Sequence, residues 1–315
     1  MKTNAKARII LWSVVALVLT GVLVWFLLPH GGYRGSDKKN GFGGGTQSGS
    51  DENAPAAAAA TVTWDGSQPA TDGSTHKADG VTGLKIDWIC GSVQIEAVDG
   101  DEVEFWDDYS STGSGEYAMD WGFDGSTLEI SYCKDVPFAV TLPEKTLSVR
   151  VPEQLLQTIE IETVSASVSV GVMTLDSLKI DSISGSQSLN TVHADSIELS
   201  TTSGSISGDA LSARELDAES ISGSIELSGT FTDAEFDTTS GSVRASFGQA
   251  PEKLDADSIS GSFTFILPSD SFFRCKLDTV SGDLDSELAI QGSAGSAPEY
   301  HFSTTSGDVY LKAAK

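Results

Sequence analysis

The chain has 315 residues, 39% of them hydrophobic, and 45 acidic against 19 basic side chains, for a formal charge of −26. That is enough apolar material to bury a sizeable core, and the charge argues against direct binding to nucleic acid or anionic lipid, since no basic patch is present to neutralise phosphate. Three cysteines are too few for a disulfide scaffold.

Lys2, Lys6 and Arg8 precede twenty uncharged residues, Ile9 to Leu28. A helix of that length spans a bilayer, and the positive-inside rule places residues 1–8 in the cytoplasm and everything after Pro29 outside. No small-x-small cleavage site follows, so an uncleaved signal-anchor is favoured over a signal peptide. The cytoplasmic membrane, reached through this helix, is therefore the first expected partner. Residues 29–60 are rich in Gly, Ser and Ala, with Gly43-Gly44-Gly45 and an alanine run from Ala56 to Ala60. As a flexible tether they have a root-mean-square span of roughly 30 Å. Three acidic and six basic residues precede Thr61, which leaves 42 acidic against 13 basic beyond it and a net charge there of −29.

Residues 61–158 read as an irregular β front part. Leu84-Lys-Ile-Asp-Trp-Ile, Glu102-Val-Glu-Phe-Trp, Thr127-Leu-Glu-Ile-Ser-Tyr and Thr146-Leu-Ser-Val-Arg-Val each alternate apolar and polar between turn residues. The stretch from Asp107 to Ser126 carries Tyr109, Tyr117, Trp121 and Phe123 among Gly, Ser and Asp. These rings are the candidate contact for an envelope protein or glycan. The favoured alternative is a cap over the open end of the fold. Cys90 and Cys133 fall here too, and spacing leaves both a disulfide and two separate thiols open.

From residue 159 to 315 the chain is a repeat. Ser-Gly-Ser or Ser-Gly-Asp recurs with glycines at 185, 204, 223, 241, 261, 282 and 307, at steps of 19, 19, 18, 20, 21 and 25 residues. Ser165-Ala166-Ser167 is a worn copy, and Cys90-Gly91-Ser92 stands apart near the front. Seven and five residues before each glycine the side chains are mostly apolar, as in Leu178 and Ile180 or Ile197 and Leu199; two and four after it the alternation resumes, as in Ile225 and Leu227 or Phe263 and Phe265. Each unit is thus strand, glycine corner, strand, loop. One such unit has a single apolar face and open edges, so it is stable only when stacked. The expected fold is all-β, a parallel β-solenoid of 19–20-residue coils; a propeller blade needs twice that period. Glycine at the corner suggests a positive φ, with altered geometry expected at Ala166. Ile183 is expected in a buried column and Cys275 as a buried thiol. The last strand, Val309 to Leu311, followed by Lys312 and Lys315, reads as a charged stop on further stacking.

Four residues before the corner stands an acidic column, Asp87, Glu162, Asp181, Ser200, Glu219, Asp237, Asp257, Asp278 and Ser303. A solubilising outward face is the favoured reading. Calcium on this ladder is the sharper one, against which stands the absence of the Gly-Gly-x-Gly-x-Asp repeat. The Thr and Ser residues three before the corner read as hydrogen-bond ladders. No carboxylate pair converges and the four histidines are scattered, so no catalytic, cofactor or metal residue is assigned.

A front segment Gly-Leu-Lys-Ile-Asp-Trp-Ile-Cys-Gly-Ser-Val-Gln-Ile, a Ser-Thr-Leu-Glu-Ile strand, a Leu-Ser-Val-Arg-Val-Pro strand and then serial Ser-Gly-Ser/Asp repeats resemble the bacterial "putative adhesin" domain of unknown function, over about Gly83 to Leu311. The resemblance implies a β-strand-repeat envelope protein, some relatives of which accompany envelope stress systems, and it carries no catalytic residues. The expectation is a single-pass protein of the bacterial cell membrane with its C-terminal domain extracytoplasmic, non-enzymatic, acting as an adhesin-like binder or envelope scaffold. The alternatives are a carbohydrate-active β-helix enzyme and a self-assembling structural protein.

Overall fold

The computed structural model describes residues 76–108, 119–132, 142–152, 155–291 and 297–315, all within one unit, Ala60–Lys315. The expected membrane helix, the tether, Tyr109, Tyr117 and Cys133 lie outside the described residues. Those described form only strands: β1 (His76–Ala78), β2 (Gly83–Trp88), β3 (Gly91–Val98), β4 (Val103–Asp107), β5 (Met119–Asp124), β6 (Thr127–Tyr132), β7 (Lys145–Pro152), β8 (Thr158–Thr163), β9 (Ser167–Val170), β10 (Met173–Thr174), β11 (Ser177–Ser182), β12 (Gln187–Asn190), β13 (Val192–Thr201), β14 (Ile206–Ser220), β15 (Ile225–Thr238), β16 (Val243–Phe247), β17 (Lys253–Ser258), β18 (Phe263–Leu267), β19 (Arg274–Thr279), β20 (Leu284–Ser286), β21 (Glu299–Thr304) and β22 (Val309–Ala313).

The strands join one curled, solenoid-like sheet. Before the corner, they stack in parallel as β6, β2, β8, β11, β13, β14, β15, β17, β21 and β19. After the corner they stack as β7, β3, β9, β12, β14, β15, β16, β18, β22 and β20. The expected loops supply a short third side in the middle coils, where Met173 pairs Val192 and Ala213 pairs Phe231. Register follows the repeat: Ile180 lies between Ile161 and Leu199, and Ala218 between Leu199 and Phe236. In-register parallel stacking thus turns each repeat position into a continuous column.

The order of coils departs from the order of the chain at both ends. The β2/β3 coil lies between β6/β7 and β8/β9, and the last coil, β21/β22, lies between β17/β18 and β19/β20. The chain's last strand is therefore paired on both edges, and the charged stop expected at Val309 to Leu311 is inside the stack. The steps of 21 and 25 residues accommodate the excursion outward to β19/β20 and the return.

The repeat glycines serve the stacking, not a left-handed corner. From Gly185 to Gly307 none has a positive φ; instead, a Cβ built on any of them would fall 1.7–2.0 Å from the carbonyl oxygen of the corner residue one coil below. Gly91 alone combines the corner with φ 99°, and the coil stacked on it is the one carrying Ala166, whose side chain is buried. The corner is closed by the Thr/Ser column, as in Thr201 Oγ1 accepting from the Gly204 N–H at 3.0 Å and Thr304 Oγ1 from Gly307 at 2.8 Å. The serine before each corner reaches down one coil: Ser184 Oγ donates to the Val164 carbonyl at 3.1 Å, Ser203 to Ile183 at 3.3 Å and Ser222 to Thr202 at 3.2 Å. Ile183 itself is 37% exposed, because its column lies on the outside of the corner, so the expectation of a buried position there was wrong. The core column is aliphatic toward the front and aromatic toward the back, where Phe265 lies 5.5 Å from both Phe236 and Phe302.

Candidate functional site

Two features concentrate chemistry. The first is the outward face of the strands before the corner, where the acidic column runs beside a second one two residues earlier. Glu198, Asp217, Glu235 and Asp255 stack in the latter, and Ser200, Glu219, Asp237 and Asp257 in the former. Strands about 4.8 Å apart bring these carboxylates close enough to repel. Bases relieve the flanks: Lys85 lies 3.2 Å from Glu160, Lys179 pairs with Glu198 and Asp181, and Lys253 is 3.0 Å from Asp255. Among the described residues no base lies within ion-pair distance of Asp217, Glu219 or Asp237, and Lys179 acts on Glu219 only from farther off. Burial, then the surrounding carboxylates Glu219, Glu235, Glu198 and Glu215, push Asp217 up to about 7, and its Oδ1 is buried without a hydrogen-bond partner. Burial, then Asp257, Glu219, Glu235 and Asp217, push Asp237 up to about 8. Glu219, Asp181 and Asp257 move up from the same leading cause. The column is half-buried through the middle coils, so it is more than a solvated surface. Among the described residues, no three carboxylate, imidazole or thiol groups come together as a metal cage.

The second is the cap. The outer edge of β6 is covered by the antiparallel strand β5, and that of β7 by β4, on which β1 lies. Trp121 and Phe123 sit on β5, half-buried against the core; Trp121 packs edge-on at 5.3 Å from Phe105 and 6.0 Å from Phe123. Beneath the cap Lys145 Nζ bonds Asp107 Oδ2 at 2.8 Å, both side chains almost wholly buried, and lies 4.7 Å from the centre of the Tyr132 ring. The Tyr132 hydroxyl donates to the Pro143 carbonyl at 2.7 Å, and Trp88 Nε1 donates to the Lys145 carbonyl at 3.3 Å. The alternation read from Thr146 onward leaves this pair out, because Lys145 stands just before that strand, at the corner position beside Gly91.

A shallow groove of about 340 Å³ runs across the strands after the corner, lined by Ser188, Ser207, Asp209, Glu226, Ser228 and Arg244 among others. It holds no aromatic ring on which a sugar would stack. Cys275, expected buried, is half-buried because it lies in the outermost coil; burial nevertheless pushes its thiol up to about 11. The chemistry-bearing side chains therefore recur as ladders along the stack.

This stacked architecture with a capped front agrees with a family profile that matches residues 81–312. The chain belongs to the Toastrack DUF4097 family. Among solved structures, the Toastrack chain is similar to a "putative lipid binding protein" from Parabacteroides distasonis, at 16% identity and a TM-score of 0.52, over 76% of this chain and 96% of that one. It is also similar to a "putative adhesin" from Bacteroides fragilis, at 16% identity and a TM-score of 0.49, over 79% and 100%. At such identities the first of these supports the shared fold alone. No curated protein matches the chain.

Proposed function

We propose that this Toastrack protein is a membrane-anchored, extracytoplasmic and non-enzymatic surface module that presents its solenoid to an envelope protein or a glycan, in the manner of an adhesin. The observation that carries the reading is the ladder arrangement of polar side chains. Glycoside cleavage needs two carboxylates across one scissile bond, whereas here the carboxylates form columns spaced by the strand repeat. The twenty uncharged residues from Ile9 and the Gly/Ser/Ala tether support anchoring with the folded unit held off the membrane. Surface biotinylation of intact cells, followed by capture with the unit Ala60–Lys315 from envelope extract with calcium and with chelator, tests it. A labelled protein and a specific captured protein or glycan are expected. Labelling only after lysis, or release of sugar from envelope polysaccharide by the purified chain, would overturn the reading.

A further inference from the structure

The two ends of the stack are unlike. At the front, β4 and β5 cover the outer edges of β7 and β6. At the back, the outer edges of β20 and of β19 from Cys275 onward carry no strand among the described residues, the start of β19 being covered where Ile290 bridges Phe273 and the Gln291 N–H donates to the Phe273 carbonyl at 3.0 Å, and side chains that later coils would cover are open. Val280 is 78% exposed, where Ile183 and Ile259 in the same column are 37% and 38%, and Phe272 beside β19 is 60% exposed. An unpaired parallel-sheet edge flanked by bare apolar side chains is a template for another strand.

We propose that this end pairs with the same end of a second copy, β19 antiparallel to β19 about a two-fold axis. The charges on β19 select both the partner and the register. Arg274, Lys276 and Asp278 face outward, and Cys275 and Leu277 face the core column. Partners across an antiparallel pair share a face, so a one-residue slip is forbidden and the axis falls on a residue. On Lys276, it would set two lysines together, and on Asp278 two aspartates. On Leu277 it sets each Lys276 against Asp278 of the second copy and joins the two Leu277 side chains on the core side. β20 does not extend the contact, because reversing β19 carries the corner of the second copy, and β20 after it, to the far end of the pair. Both copies then expose only capped ends, so association closes at two and does not run on into fibres. The described chain enters at the cap, on β1, so the two entry points lie at opposite ends of the pair. This pairing does not depend on the anchoring or the ligand proposed above.

Sedimentation velocity of the full chain in detergent micelles tests the proposal through K276E and D278K. The wild type sediments as a dimer. Each variant alone places like charges opposite each other and sediments as a monomer. An equimolar mixture restores two opposite-charge pairs across the interface, although each chain has lost its own Lys276–Asp278 contact of 2.7 Å, and returns to the dimer. A monomeric wild type, species larger than two, single variants that stay dimeric, or a mixture that stays monomeric would each overturn it.

Discussion

Replacing Asp237 by asparagine tests whether the carboxylate columns oppose folding. Asp237 lies on β15 between Glu219 of β14 and Asp257 of β17, with Glu235 two residues before it. Burial, foremost, and these charges raise its carboxyl from 3.8 to about 8. A folded-state value above the unfolded one means that the native state holds the proton more tightly. The associated stability is therefore complete below about pH 4, falls as pH rises through the interval, and levels off above about pH 8. At pH 7 the lag is roughly three pH units, or on the order of 4 kcal/mol at about 1.36 kcal/mol per unit. Asparagine keeps the shape and removes the charge. D237N should recover much of that at pH 7 to 8 and little near pH 4, flattening the decline that the wild type shows. Urea unfolding followed by circular dichroism from pH 4 to pH 8 measures both profiles. A wild type whose stability is flat or rises over this range, or a variant less stable than wild type at pH 8, would refute the reasoning.

Three further outcomes follow from the packing. Asp107→Asn removes the carboxylate that neutralises the buried Lys145 ammonium at 2.8 Å and should cost about 3–5 kcal/mol, whereas D107L with K145M should cost much less; at about 2–4 °C per kcal/mol for a domain of this size, a thermal melt separates them. Gly223→Ala puts a Cβ 1.7 Å from the Gly204 carbonyl oxygen and should cost about 3 kcal/mol or more, seen as a lower urea midpoint. Ile183→Asp should change stability by no more than about 0.5 kcal/mol, while Ile180→Asp, fully buried three residues earlier, should cost several; parallel urea titrations compare the two.

The coil, its register and its core columns were legible because a twenty-residue period with two apolar positions two residues apart leaves few ways to bury one face. Leu178, Ile180, Ile197 and Leu199 occupy the places that the spacing predicts, all fully buried. The role of the glycines was half legible. That a side chain is forbidden at Gly204 or Gly223 follows from the pattern, but a positive φ and a carbonyl packed against the α-carbon leave the same trace in a sequence. Ile183 misled for a related reason. It is an apolar residue at the corner, but the alternation runs through Leu178, Ile180 and Ser182 and passes it by, and the turn leaves its side chain outside.

What could not be read was the order of the coils. A column pattern aligns every coil equally well with every other, so it sets the register of neighbours and not their identity. Parallel pairing of β21 with β17 and with β19 satisfies the same apolar columns that a strictly sequential stack would satisfy. The difference lies in the edges. A sequential stack would leave β21 and β22 outermost. Inserting that coil one level inward pairs both edges of β22 and makes β19 and β20 the outermost strands. The exposed coil also carries Arg274 and Lys276, two basic residues on one strand of a strongly acidic solenoid. Charges of both signs on an edge discourage arbitrary strand addition, and along β19 one antiparallel register with its own copy pairs opposite charges and sets no like charges together.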